Sequence, residues 1–171
     1  AFSFSLLSPF SQEFCACASN TRSAIRDARS GLSAAAGAKA RAASRVLAGG
    51  TSGELNTAVG SLSLVSHKYG NENVAVGCQA MYLDETGERN TALGSASLYL
   101  HKSGNENVAV GYKALSSDET SERNTAIGSA SLLSHTGGNE NVAVGYQALV
   151  GDIPGGGIRE YNTAIGSYSL N

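Results

Sequence analysis

Residues 107–115 read Asn-Val-Ala-Val-Gly-Tyr-Lys-Ala-Leu, and the same nine-residue phrase returns along the chain. It appears as NTAVGSLSL from Asn56, NVAVGCQAM from Asn73, NTALGSASL from Asn90, NTAIGSASL from Asn124, NVAVGYQAL from Asn141 and NTAIGSYSL from Asn162. The step is 17 residues from Asn56 to Asn141, and four extra residues precede Asn162 within the Gly-rich stretch 151–161. A fixed period of this kind decides the architecture before any local reading, because each unit must bury its apolar face against the next.

Two unit types alternate, so the full period is 34 residues: Thr follows Asn at Asn56, Asn90, Asn124 and Asn162, and Val follows it at Asn73, Asn107 and Asn141. Paired-helix repeats share that period. They are excluded because each unit carries a Gly four positions after its Asn and a turn cluster near its end, leaving no helix-length apolar stripe. Short β-branched runs between turns read as strands. At about 3.3 Å per strand residue, a unit accommodates two short strands and two turns. The expected fold is therefore mainly β, a parallel β-solenoid of seven 17-residue coils over residues 51–171.

Side chains alternate along a strand. In the segment opened by Asn107, Val108 and Val110 are expected to fill the interior, with Ala109 and Gly111 forming a flat outer surface for a sister chain's backbone. Eight residues after each Asn, Leu64, Met81, Leu98, Leu115, Leu132, Leu149 and Leu170 form a second core column. Asn56, Asn73, Asn90, Asn107, Asn124, Asn141 and Asn162 are expected to stack about 4.8 Å apart, holding register through amide hydrogen bonds.

The remaining chain divides into an arm, 1–19, and an Ala/Arg-rich segment, 20–50. The arm begins AFSFSLLSPF, where Phe2, Phe4 and Leu6 alternate with Ser, a strand-like pattern suited to docking on a neighbour's sheet edge. Between Asn20 and Gly49-Gly50 the spacing predicts an α-helix. Its packing stripe is Ile25, Leu32 and Val46 with intervening Ala, interrupted by Lys39.

Composition agrees with close backbone packing: 21 Gly, 2 Pro, no Trp and 15% charged residues. Residues 1–50 carry six Arg/Lys against two acids, whereas 51–171 carry six against twelve. Opposite ends of opposite charge suit docking between sister subunits. Arg22, Arg26, Arg29, Arg41 and Arg45 lack the interleaved aromatics of a nucleic-acid module, so no nucleic-acid partner is expected. No apolar run is long enough to span a bilayer, which takes about 18–20 residues. Cys15, Cys17 and Cys78 make an odd set, read as an intermolecular bridge, a free thiol or small packed side chains.

Chemistry is sparse. His67, His101 and His135 recur every 34 residues in polar linkers and are expected in solvated turns. Two coils separate successive members by roughly 9–10 Å, too far for one ion to bridge. Asp84-Glu85 and Asp118-Glu119 lack the glycine spacing of calcium-binding rolls, and Arg89 and Arg123 are expected to pair with neighbouring acids. Thr57, Thr91, Thr125 and Thr163 make a single column interrupted by Val and expected to point inward, which argues against ice binding. There is no nucleophile with a His/Asp partner and no phosphate loop, so no enzyme activity, metal or cofactor is expected.

The repeats resemble the Asn-Thr-Ala-x-Gly-x-x-Ala-Leu repeats of bacterial and phage fibrous proteins and, more distantly, the heads of trimeric autotransporter adhesins. The likeness spans 54–171, although Ser replaces the Ala before Leu in the Thr coils. It implies a left-handed β-roll, three chains side by side, an extracellular or surface-appendage location and no catalytic residue. No membrane anchor or chaperone domain is expected after the repeats. The last coil is expected to present an open edge that another subunit continues. The functional expectation is a structural subunit of a self-assembling fibre, polymerising head to tail through the arm and the open ends. The alternative is a trimeric adhesin- or tail-fibre-like stalk contacting a receptor or glycan.

Overall fold

The computed structural model describes residues 53–134, 137–151 and 160–170. The arm with Phe2, Phe4 and Leu6, and the helix with Ile25, Leu32 and Val46, lie outside the described residues. Seven strands follow one another: β1 Thr57–Val59, β2 Val74–Val76, β3 Thr91–Leu93, β4 Val108–Val110, β5 Thr125–Ile127, β6 Val142–Val144 and β7 Thr163–Ile165. They form one parallel sheet in sequential order, a β-solenoid of about six turns, with no helix among the described residues. Register is strict, each strand residue facing its equivalent one coil on, as in Ala92↔Ala109 and Ala109↔Ala126.

Each coil contains one strand where two were expected. The second half is barred from strand geometry because two of its residues are left-handed, for example Lys113 at φ 55° and Leu115 at φ 51°. Such a conformation costs a non-glycine residue roughly 1–2 kcal/mol. Burial of Leu115 offsets that cost, as do hydrogen bonds between coils: Lys113 N–H donates to Ser95 O at 3.0 Å and Leu115 N–H to Ser131 O at 2.9 Å. The turns are therefore paired along the axis almost as the strands are.

The strand faces are the reverse of the expectation. Ala58, Ala75, Ala92, Ala109, Ala126, Ala143 and Ala164 are buried, whereas the flanking Thr, Val, Leu and Ile point outward and are partly or well exposed. The interior has one large wall and one small one. The column from Leu64 to Leu149 fills it from the turn side, in one core cluster with the alanines. A row of Val or Ile on the facing wall would compete for the same space.

The Ser/Ala alternation before each Leu has a local cause. Ser63, Ser97 and Ser131 are buried and donate from Oγ to the carbonyls of Gly60, Gly94 and Gly128 at 2.9–3.1 Å. The residue must be small to fit and, where polar, satisfied to be buried.

The glycine column does permit close approach, but the approaching backbone is the chain's own next coil and not a sister chain. Gly94 sits at φ 136°, and a Cβ there would lie 2.4 Å from the carbonyl oxygen of Gly111. Both the conformation and the contact exclude a side chain. Gly94→Ala should lower the unfolding free energy by about 3 kcal/mol or more. Urea denaturation checks this, with Ser95→Ala, at a partly exposed neighbour, as the control within about 0.5 kcal/mol.

Candidate functional site

The described residues place four ionisable side chains in one buried column at a corner of the roll. Eleven positions after successive Asn stand His67, Asp84, His101 and Asp118, all fully buried. Coil stacking brings each over the next. His67 Nδ1 lies 2.5 Å from Asp84 Oδ2, and His101 Nδ1 lies 2.9 Å from Asp84 Oδ1, so one carboxylate receives both rings. Each ring Nε2 in turn lies near an amide nitrogen, Asn56 Nδ2 at 3.3 Å for His67 and Asn107 Nδ2 at 3.4 Å for His101. The carbonyl of Gly70 also lies 3.2 Å from His67 Nε2.

Asp118 is held differently. Its Oδ1 accepts from the backbone N–H of Ser121 at 3.3 Å and from the Ser121 hydroxyl. Its buried Oδ2 has no hydrogen-bond partner among the described residues and lies 4.0 Å from His101 Nε2. Ser121 stands where the preceding acidic linker has Gly87, a position at which a Cβ would meet Asp84 Oδ1 at 2.4 Å.

These histidines are enclosed, not in the solvated turns expected of them; His135 lies outside the described residues. The signal was present in the sequence. His67, Asp84, His101, Asp118, His135 and Asp152 alternate at an unbroken step of 17 in the sequence, and among the described residues His67 and His101 both neighbour Asp84. The histidines taken alone form a 34-residue series, and the aspartates fall midway between them. No group of three His, Cys, Asp or Glu that could hold a metal ion occurs among the described residues.

Beside this column runs the asparagine ladder. Asn107 N–H and Nδ2 both donate to Asn90 Oδ1, at 2.9 and 3.1 Å, and its other amide proton reaches Ser121 O at 2.8 Å. The same main-chain bond links each Asn to the one before it, through Asn162 to Asn141 at 3.0 Å. Asn73, Asn90, Asn107, Asn124 and Asn141 are fully buried. A buried amide with its acceptor and both protons engaged specifies one register, because a slip leaves it unsatisfied.

Two exposed columns alternate in sign. Lys68 pairs with Glu85 and Lys102 with Glu119 at 2.8 and 2.7 Å, while Arg89 pairs with Glu106 and Arg123 with Glu140 at 3.0 and 2.7 Å. Each pair joins adjacent coils. Half-exposed pairs contribute at most about 1 kcal/mol each. Their sign matters more than their strength, since like charges would otherwise be stacked along the whole rod.

Comparison with protein-family models, curated proteins and solved structures finds no match for this chain. Fold and site together define a parallel β-solenoid repeat protein with a hydrogen-bonded polar spine.

Burial works to raise the Asp84 carboxyl, but hydrogen bonds and charge attraction from His101 and His67 outweigh it and hold the group below its ordinary value. A depressed folded-state value contributes stability above the unfolded aspartate pKa, about 3.9, and that stability is lost as pH falls through the lower folded value. Asp84→Asn should therefore cost about 3 kcal/mol at pH 7. The gap to the wild type should narrow below pH 4, as urea midpoints at pH 7 and pH 3 will show.

Proposed function

We propose that this chain is a structural subunit of a self-assembling extracellular fibre or filament, a short stiff rod that works by contact with copies of itself. The observation that carries this reading is the outward face of the sheet. Thr57, Val74, Thr91, Val108, Thr125, Val142 and Thr163 form one column, and Val59, Val76, Leu93, Val110, Ile127, Val144 and Ile165 the next. Val59, Leu93 and Ile127 are about 40% exposed. Six strand spacings of about 4.8 Å make this strip roughly 29 Å long. The second column is apolar throughout, and a continuous apolar strip marks a contact surface. Flatness and repetition favour another copy as the cover, side by side.

The sequence resemblance supports the finer form of this reading, a left-handed roll with three chains abreast. The His–Asp column supports a non-enzymatic role, because His67, Asp84, His101 and Asp118, its members among the described residues, are sealed from any substrate. Threonine occupies alternate levels of the strip, so the even hydroxyl array of an ice-binding face is interrupted by Val at every second coil. The alternative, a trimeric adhesin- or tail-fibre-like stalk that contacts a receptor or glycan, uses the same strip but stops growing at three chains.

Replacing Val108 and Val142 with Lys should weaken association at least about tenfold in sedimentation velocity, since each unpaired charge must be buried at the contact. The unfolding free energy of the dissociated chain should move by less than about 1 kcal/mol. A wild-type chain that sediments as a monomer at high concentration would remove the proposal, and a discrete trimer would favour the stalk.

A further inference from the structure

His101 stands between two carboxylates, Asp84 one coil before it and Asp118 one coil after, and all three side chains are fully buried. Its Nδ1 is held by Asp84 Oδ1 at 2.9 Å. Its Nε2 faces Asp118 Oδ2 across 4.0 Å, and that oxygen has no hydrogen-bond partner among the described residues. A bare carboxylate oxygen is costly to bury, so the gap calls for an occupant. It is too short to hold a water in line, which needs roughly 2.8 Å to each side. A proton fits.

The neighbouring amides show which ring needs it. At His67, Nε2 has both a donor and an acceptor within reach: Asn56 directs one amide proton to Gly70 O at 3.0 Å and keeps the other for Nε2 at 3.3 Å, while Gly70 O itself lies 3.2 Å from Nε2. Either form of that ring is satisfied. At His101 the amide of Asn107 is 3.4 Å away, but its two protons are directed to Ser121 O at 2.8 Å and Asn90 Oδ1 at 3.1 Å. A neutral His101 would therefore set two buried acceptors against each other. Ser121 creates this arrangement: its N–H and hydroxyl hold Asp118 Oδ1 and leave Oδ2 toward the ring, whereas Gly87, its counterpart, lets Asp84 offer one oxygen to each histidine.

We infer that His101 is an imidazolium in the folded roll, donating from Nδ1 to Asp84 and from Nε2 to Asp118, so that folding at neutral pH takes up a proton. A charge-assisted bond would draw Nε2 and Oδ2 to about 2.7–2.9 Å. The unfolded chain binds that proton only below about pH 6.5, the ordinary histidine value. The stability it contributes is thus full below that pH and is lost as pH rises to where the folded ring releases it. Lys102 and Glu119, the charged residues next to His101 and Asp118 in the chain, pair with each other at the surface at 2.7 Å and keep their charges in this window. His67 is screened from His101 by Asp84, and His135, the next member of the series, lies outside the described residues. The column is a proton-dependent lock across the coils opened by Asn73, Asn90 and Asn107.

The test uses the full-length chain with isotope-labelled histidine. NMR at about pH 7, above the ordinary histidine value, should show both ring nitrogens of His101 protonated. An unprotonated Nε2 would overturn the inference. Urea midpoints between about pH 6.5 and 8 give a second readout: the folding equilibrium should weaken about tenfold per pH unit for this one proton, and Asp118→Asn should remove that dependence. An Asp118 with a merely structural role would shift the midpoint equally at every pH. That result, which leaves any slope to His67 or His135, or a flat wild-type profile, would overturn the lock. Should Asp118→Asn fail to fold, the wild-type spectrum and slope decide alone.

Discussion

The roll follows from one constraint: a residue's nearest neighbour outside its own coil is the residue at the same place one coil away. Backbone hydrogen bonds impose it, in the strands and in the turns alike. A side chain is thereby obliged to be compatible with its own counterpart at about 4.8 Å. Asparagine meets that demand because its amide is both donor and acceptor. Alanine and leucine meet it by nesting, and glycine meets it where the backbones leave no room.

Charge cannot meet it by simple repetition. A Lys stacked on Lys, or a His on His, would repel at every level, so a charged column has to alternate. That requirement explains why two coil types exist. Lys68/Glu85, Arg89/Glu106 and His67/Asp84 each place opposite or complementary groups on adjacent coils. The Asn, Gly and Leu columns keep the 17-residue period, and the ionisable columns take the 34-residue period together with the neutral Thr/Val and Ser/Ala columns. Charge is thus one cause of the doubling, beside the local hydrogen bonding of the buried serines.

The winding, the asparagine spacing and the Leu64–Leu149 core column were legible because each recurs at a fixed step, although Leu170, expected in the same column, is exposed. The faces of the strand were not. Hydropathy alone places valine in the interior, yet the room inside the strand wall is set by the leucines across from it, a distance that residues 107–111 do not encode. The missing second strand was equally hidden, since Lys113 and Leu115 carry no local mark of a left-handed backbone; packing and inter-coil bonds impose it. The His–Asp column was readable in principle, from the alternation at position eleven.

The alternating columns also restrict how such a gene can lengthen or shorten. Losing or duplicating one 17-residue coil would set like against like in three columns at once, and would stack two imidazoles or two carboxylates in the interior. Duplicating two coils leaves every contact as it was. The smallest heritable edit that preserves the roll is thus a 34-residue cassette, and lengths in this architecture should change in steps of two.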